Sequence, residues 1–151
     1  MTADELLKLN TTVLAYMGDA VYEVRIRRML VERDPENVDR LHHEAVRYVS
    51  CGGQAKAIRA MLANAEAAVG KNAPTVAGGA ADCPLILTED EVRLVKRARN
   101  HRAMSRPKNA DPREYKLATG FEALLGYLFL DNQLERMIAV VDEAVRLIDA
   151  E

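Results

Sequence analysis

Apolar residues recur at helical spacing along most of the chain. Val13, Leu14, Met17, Ala20, Val21 and Val24 follow the 3.6-residue period, and with Thr11 or Thr12 as N-cap they predict a long helix to about Glu32. Pro35 marks its end. Val38, Leu41, Ala45, Val46 and Val49 predict a second helix, and Gln54, Ala55, Ile58, Met61 and Leu62 a third. The rhythm then stops. Gly70, Pro74, Gly78, Gly79 and Pro84 interrupt it with little to bury between them, so a long flexible surface loop is expected at about 69–87. Thr88 and Glu91 make a capping box that opens a short helix through Val92 and Val95, and the stretch 100–111, with Pro107, reads as loop. Pro112 suits the first turn of a helix through Tyr115, Ala118, Phe121, Leu125 and Leu128. Asp131 is the expected cap of a last helix through Leu134, Ile138, Val141, Val145 and Ile148. The pattern is that of an all-α bundle of about six helices.

Composition agrees with this pattern. Ala, Leu, Val, Arg and Glu are abundant, aromatics are 5% and Trp is absent, which favours helices over a sheet. At 151 residues the chain, 1–151, reads as one domain, because a split would leave both halves short of core. Cys51 and Cys83 lie far apart with no ligand at metal spacing around either, so two free thiols are expected. Residues Met1 to Leu6 lack the basic start and apolar core of a secretory leader, and no apolar run reaches the roughly 18 residues of a membrane span. A cytoplasmic protein is the expectation, with no membrane partner.

Charge adds a partner class. Between Arg93 and Lys116 stand nine basic residues against Asp111 and Glu114, a local charge of +7 on a body that is otherwise −9. Such asymmetry suggests a polyanion, although a charged face turned to solvent gives the same pattern.

Two acids stand out by their surroundings. Asp19 is the only charged residue between Leu9 and Tyr22, and Glu122 the only one between Leu117 and Leu130, in helices that are apolar almost all round. A carboxylate there is costly unless a cation, a donor or a proton meets it. Gly18 flanks the first acid, and Gly120 and Gly126 bracket the second; each weakens its helix but permits close helix contact. A crossing at these glycines would bring Asp19 and Glu122 together, with Glu23 one turn further on the same side. Oxygen ligands of this kind suit magnesium, which activates water and stabilises a leaving oxygen when a phosphate completes its shell. Simple pairing of each acid with an Arg is the open alternative.

The words around these acids form an ordered series. Leu14-Ala15-Tyr16-Met17-Gly18-Asp19-Ala20-Val21-Tyr22-Glu23 resembles the signature helix of ribonuclease III endonuclease domains, and Ala118-Thr119-Gly120-Phe121-Glu122-Ala123-Leu124-Leu125-Gly126-Tyr127 their later catalytic helix. More narrowly, Tyr48-Val49-Ser50 with Gln54-Ala55, Leu87-Thr88-Glu89, Lys96-Arg97-Ala98-Arg99-Asn100, and Pro107-Lys108-Asn109 ahead of Tyr115 resemble the Mini-ribonuclease III branch, which lacks a double-stranded RNA-binding domain. The resemblance implies a homodimeric, magnesium-dependent endoribonuclease of double-stranded RNA, with manganese as a substitute, acting on precursor ribosomal RNA of the large subunit (23S). It assigns Asp19 and Glu122 to catalysis and metal. Glu23 is a further candidate ligand from its position alone. Larger members carry acids where this chain has Ala15 and Thr119, so the site is lean. Arg97, Arg99, Arg102 and Lys108 are the expected RNA contacts, tracking phosphates without reading sequence. Tyr16, Tyr22 and Tyr127 are expected to pack rather than to stack on bases. A non-catalytic protein of the same fold, binding structured RNA or aiding ribosome assembly, is the alternative.

Overall fold

The computed structural model describes residues 1–69, 84–101 and 109–150. Among these, seven helices form the all-α fold: α1 (Ala3–Leu7), α2 (Thr11–Arg33), α3 (Val38–Val49), α4 (Cys51–Ala68), α5 (Glu89–Asn100), α6 (Pro112–Leu130) and α7 (Leu134–Asp149). Most of the expected loop at 69–87 falls outside the described residues; its end, 84–88, has no regular secondary structure and leads into α5.

Local chemistry sets the helix ends, in places differently from the sequence expectation. Asn10, not Thr11 or Thr12, caps α2: its Oδ1 accepts from the Thr12 backbone N–H at 2.9 Å and from the Thr12 hydroxyl at 2.7 Å. Thr88 and Glu91 form the capping box of α5 as the sequence predicts. Asp111 caps α6 ahead of Pro112. Asp131, however, does not start α7. It ends α6, and the chain reverses through Asn132 at φ 58°, a left-handed conformation that Asn tolerates better than most side chains. Gln133 is the N-cap of α7 and makes no side-chain capping bond. The seventh helix, α1, has its own capping box between Thr2 and Glu5, but five residues are too few for a periodic signal.

α6 is the hub of the bundle. It packs on α2, α4, α5 and α7, and its contact with α2 is the most extensive in the molecule. Around it Tyr22, Phe121, Tyr48, Ile58, Met61 and Leu124 are fully buried. Tyr22 meets Phe121 edge-on at 5.0 Å, and its hydroxyl donates to the Tyr48 carbonyl at 3.0 Å, which satisfies the one polar atom it brings inside.

α5, the basic helix, is held from both sides. Glu91 is buried and pairs with Arg136 of α7 at 2.6 Å, while Arg136 also donates to the Ile86 carbonyl at 2.8 Å. Leu85 donates its backbone N–H to Glu143, another buried acid of α7. The segment 84–88 is therefore pinned to α7 by two buried carboxylates and one guanidinium, all hydrogen-bonded. No described helix is long and apolar enough to cross a membrane.

Candidate active site

The α2–α6 crossing is built on glycine. A Cβ placed on Gly18 would lie 1.6 Å from the Glu122 carbonyl oxygen, and one on Gly126 would lie 1.9 Å from the Leu14 carbonyl oxygen. Any side chain would push the helices apart, so the backbones touch only because both positions are bare. Gly120 makes the same kind of approach to α5, its Cβ position lying 2.9 Å from the Val95 carbonyl oxygen. Gly18 thus abuts the backbone of Glu122 itself, and Asp19 follows Gly18 directly in sequence. The crossing places the two acids as neighbours.

Their electrostatics show the consequence. Burial, then the charge of Asp19, pushes the Glu122 carboxyl up to about 8, against a smaller opposing effect of a hydrogen bond from Gln54. Asp19 is exposed at its residue level, yet partial burial of its carboxyl and the charge of Glu23 raise it as well. Neither acid pairs with an Arg among the described ion pairs, whereas Glu122 is met by a hydrogen bond from Gln54. Glu23 does have such a partner, the Arg27 guanidinium at 3.0 Å. Among the described residues no three acids, histidines or cysteines come together to hold a metal.

A stability measurement reads this arrangement without any assay. Free Glu ionises near 4.5 and Glu122 near 8, so between those values the folded protein keeps a proton that the unfolded chain has shed. That contribution is fully present below about 4.5 and is lost as pH rises to about 8. In chelator, Glu122→Gln is therefore expected to match the wild type near pH 5 and to be more stable at pH 8, by on the order of 2 to 4 kcal/mol after allowance for partial exposure. Denaturant melts at the two pH values check this; an equal difference at both would remove the raised carboxyl.

Sequence reasoning missed one side chain here as a site residue. Gln54, on the first turn of α4, is buried to 2% exposure and hydrogen-bonds Glu122. Its Nε2 also donates to the Val49 carbonyl at 3.0 Å, whereas its Oε1 is buried with no partner among the described residues. An uncharged amide in an apolar stretch carries no charge signal, and Gln54 stood in the sequence as a helix position and as part of a family-like word, with no role at the site. The donor set of Asp19, Glu122 and a buried free amide oxygen is all hard oxygen, which fits magnesium.

Ala15 and Thr119, where the resemblance to the larger enzymes leads one to expect acids, have other uses. Ala15 is buried in a small apolar cluster with Leu6, Leu14, Ala98 and Ala123. The Thr119 hydroxyl donates to the Tyr115 carbonyl of its own helix at 2.9 Å. Cys51, one turn before Gln54, is half-buried; burial and the charges of Glu122 and Glu114 raise its thiol, so it stays neutral beside the acids.

The basic segment divides. Arg93 pairs with Asp90, Lys96 with Glu66 at 3.8 Å, and Arg99 donates to the Asn100 side chain at 3.2 Å. Arg97 is exposed and lines a cavity with Leu6, Leu7, Leu94 and Tyr127. Arg102 and Lys108 lie outside the described residues. Of the three tyrosines expected to pack, Tyr22 is buried and Tyr127 half-buried, but Tyr16 is 82% exposed.

Among the described residues the two central helices cross at bare glycines, with Asp19 on one and Glu122 on the other, neither in an ion pair. Residues 12–133 match the family model of the ribonuclease III domain. The chain is 38% identical over 143 residues to a Mini-ribonuclease 3 of Symbiobacterium thermophilum, covering 95% of this chain and 93% of that protein. A Mini-ribonuclease 3 of Enterococcus faecalis is 37% identical over 92% of this chain and 90% of its own length. A crystal structure of a Fusobacterium nucleatum protein shares the fold, with a TM-score of 0.69 at 21% identity over 92% of this chain and 93% of that one. The chain belongs to the ribonuclease III family.

Proposed function

We propose that this protein is an endoribonuclease that hydrolyses double-stranded RNA, with Asp19 and Glu122 as the acids that hold a magnesium ion, or manganese in its place. The observation that carries this reading is the glycine-lined crossing, which brings Asp19 and the buried carboxyl of Glu122 together in otherwise apolar helices, neither facing an Arg among the described ion pairs. When bound, the ion supplies Lewis acidity: it lowers the pKa of a water and stabilises the departing oxygen. The residues do the rest. Asp19 and Glu122 lend the negative charge that holds the ion, and the bare helix contact fixes their spacing. Water adds to phosphorus as the bond to the 3′ oxygen breaks, leaving a 5′-phosphate and a 3′-hydroxyl.

Purified protein with magnesium is expected to cut long duplex RNA; absence of cutting with either magnesium or manganese overturns the enzyme reading. The lean acid set favours the second reading, a non-catalytic RNA-binding or assembly protein, and that outcome with intact duplex binding would establish it. The proposed substrate is precursor large-subunit ribosomal RNA (23S), in the cytoplasm. Arg97, Arg99, Arg102 and Lys108 are the proposed contacts to its phosphates, and binding that weakens steeply with salt is the expected signature.

The active unit is proposed to be a homodimer joined through α2. Val13, Tyr16, Ala20 and Val24 are exposed at helical spacing along its outer face, a stripe that one protomer leaves in water. Tyr16 is its largest member. Tyr16→Asp is expected to weaken self-association roughly 30-fold or more, the effect of losing a central aromatic anchor, as read by sedimentation across a concentration series. Unchanged association would place the contact elsewhere.

A further inference from the structure

Gln54 sits where two helices end and begin. α3 stops at Val49, whose carbonyl belongs to the group that a helix C-terminus leaves without an internal partner. α4 starts two residues later, and the turn between them is tight: a Cβ on Gly53 would lie 2.2 Å from the Arg47 carbonyl oxygen. That bare position lets the first turn of α4 fold against the end of α3. Gln54 Nε2 then donates to the Val49 carbonyl at 3.0 Å. Because a carbonyl only accepts, this bond fixes which end of the amide faces it. The other interaction of the amide is with Glu122. The amide oxygen is left without a partner among the described residues.

That oxygen is the unusual feature. Gln54 is 2% exposed, so Oε1 has lost its water, and no described donor replaces it. Buried polar atoms in folded proteins nearly always have a partner, and an orphan beside a functional acid calls for one from outside the chain. We propose that Gln54 is a positioning residue of the metal centre, its amide beside Glu122 and its free Oε1 an acceptor for the waters carried by the ion. This rests on the reading of Asp19 and Glu122 as the metal-holding acids. It also accounts for a site with few acids, since a magnesium ion keeps several waters and those waters need acceptors around them.

The test uses the wild-type protein first. Magnesium is titrated into chain labelled with nitrogen-15 and carbon-13 while the side-chain amide and carboxyl signals are followed by NMR. The Gln54 amide is expected to shift and to saturate at the same ion concentration as the Glu122 carboxyl carbon. In parallel, binding of manganese is followed by electron spin resonance in Gln54→Met, which keeps the length and loses the amide. Affinity is expected to fall about ten-fold or more, the scale seen when a group behind a metal ligand is removed. A Gln54 signal that does not move while Glu122 responds overturns the proposal and leaves the function reading standing. So does unchanged manganese affinity in a folded Gln54→Met. If the wild type binds neither ion, and neither signal moves, the metal reading itself fails. The wild-type titration decides the matter even where Gln54→Met does not fold.

Discussion

Asp19→Asn and Glu122→Gln should each reduce cleavage of long duplex RNA by roughly three orders of magnitude, the scale on which enzymes lose a principal electrostatic contribution to the transition state. Both changes are nearly isosteric, so shape at the crossing is kept; Asp19→Asn removes a charge and Glu122→Gln removes the capacity to ionise when the ion binds. Binding of duplex RNA in chelator should persist, because phosphate contact is the task of the basic residues and the lost carboxylates repel RNA if they act on it at all. The measurement is a paired one: single-turnover cleavage with magnesium, and duplex affinity without it. Cleavage within about ten-fold of wild type for either variant would remove that acid from the site. Glu122→Gln carries a further expectation. It should be the more stable protein at pH 8 in chelator and the less responsive one on adding magnesium, because the group that resists ionisation is also the one the ion is proposed to ionise. An acid held in a place where its ionisation costs stability is a sign of use rather than of packing.

How far the sequence reaches depends on what kind of signal a residue leaves. Long helices leave a strong one. The observed α3, Val38–Val49, and α6, starting at Pro112, coincide with the periodic segments, since an apolar face must repeat along a helix that packs on one side. Helix ends are weaker, because several polar residues compete for one cap. Asn10 outcompetes Thr11 and Thr12 by accepting two bonds from Thr12, and the turn after α6 uses the left-handed tolerance of Asn132, which leaves Asp131 as a helix end rather than a beginning. The site shows the same contrast. Asp19 and Glu122 are legible as lone charges in apolar helices, and the glycines beside them as breaks in helix propensity. Gln54 is not, because a neutral amide becomes unusual only once its burial and its missing partner are known, and both depend on the fold of the α3–α4 turn. Tyr16 misled in the opposite direction: an aromatic at helical spacing looks like core, whereas its place on the outer face of α2 follows from which side of that helix Gly18 turns inward.

Gly18 is where fold and chemistry meet, and Gly18→Ala is expected to damage both. On helix propensity alone the change should help, by up to about 1 kcal/mol, because glycine is the poorer helix former. Against that stands a methyl group 1.6 Å from the Glu122 carbonyl oxygen and 2.9 Å from the Gly126 nitrogen. These are backbone atoms in the middle of a helix, so no side chain can rotate away, and the two helices must separate along their most extensive contact. Overpacking of a core costs typically 1 to 3 kcal/mol and more where the backbone has to move, so the steric effect wins. A net loss of about 3 kcal/mol is expected, near 10 °C in melting temperature for a chain of this size. Gly120→Ala supplies the graded comparison. Its nearest backbone atom would be 2.9 Å away, a gap closed by a small shift of α5, and the loss there should be smaller. The same displacement at Gly18 carries Glu122 away from Asp19, so cleavage should fall further than stability alone explains, measured at a temperature where Gly18→Ala remains folded. A stable, fully active Gly18→Ala protein would mean that the helices do not touch at this point, and the proximity of the two acids would lose its structural cause.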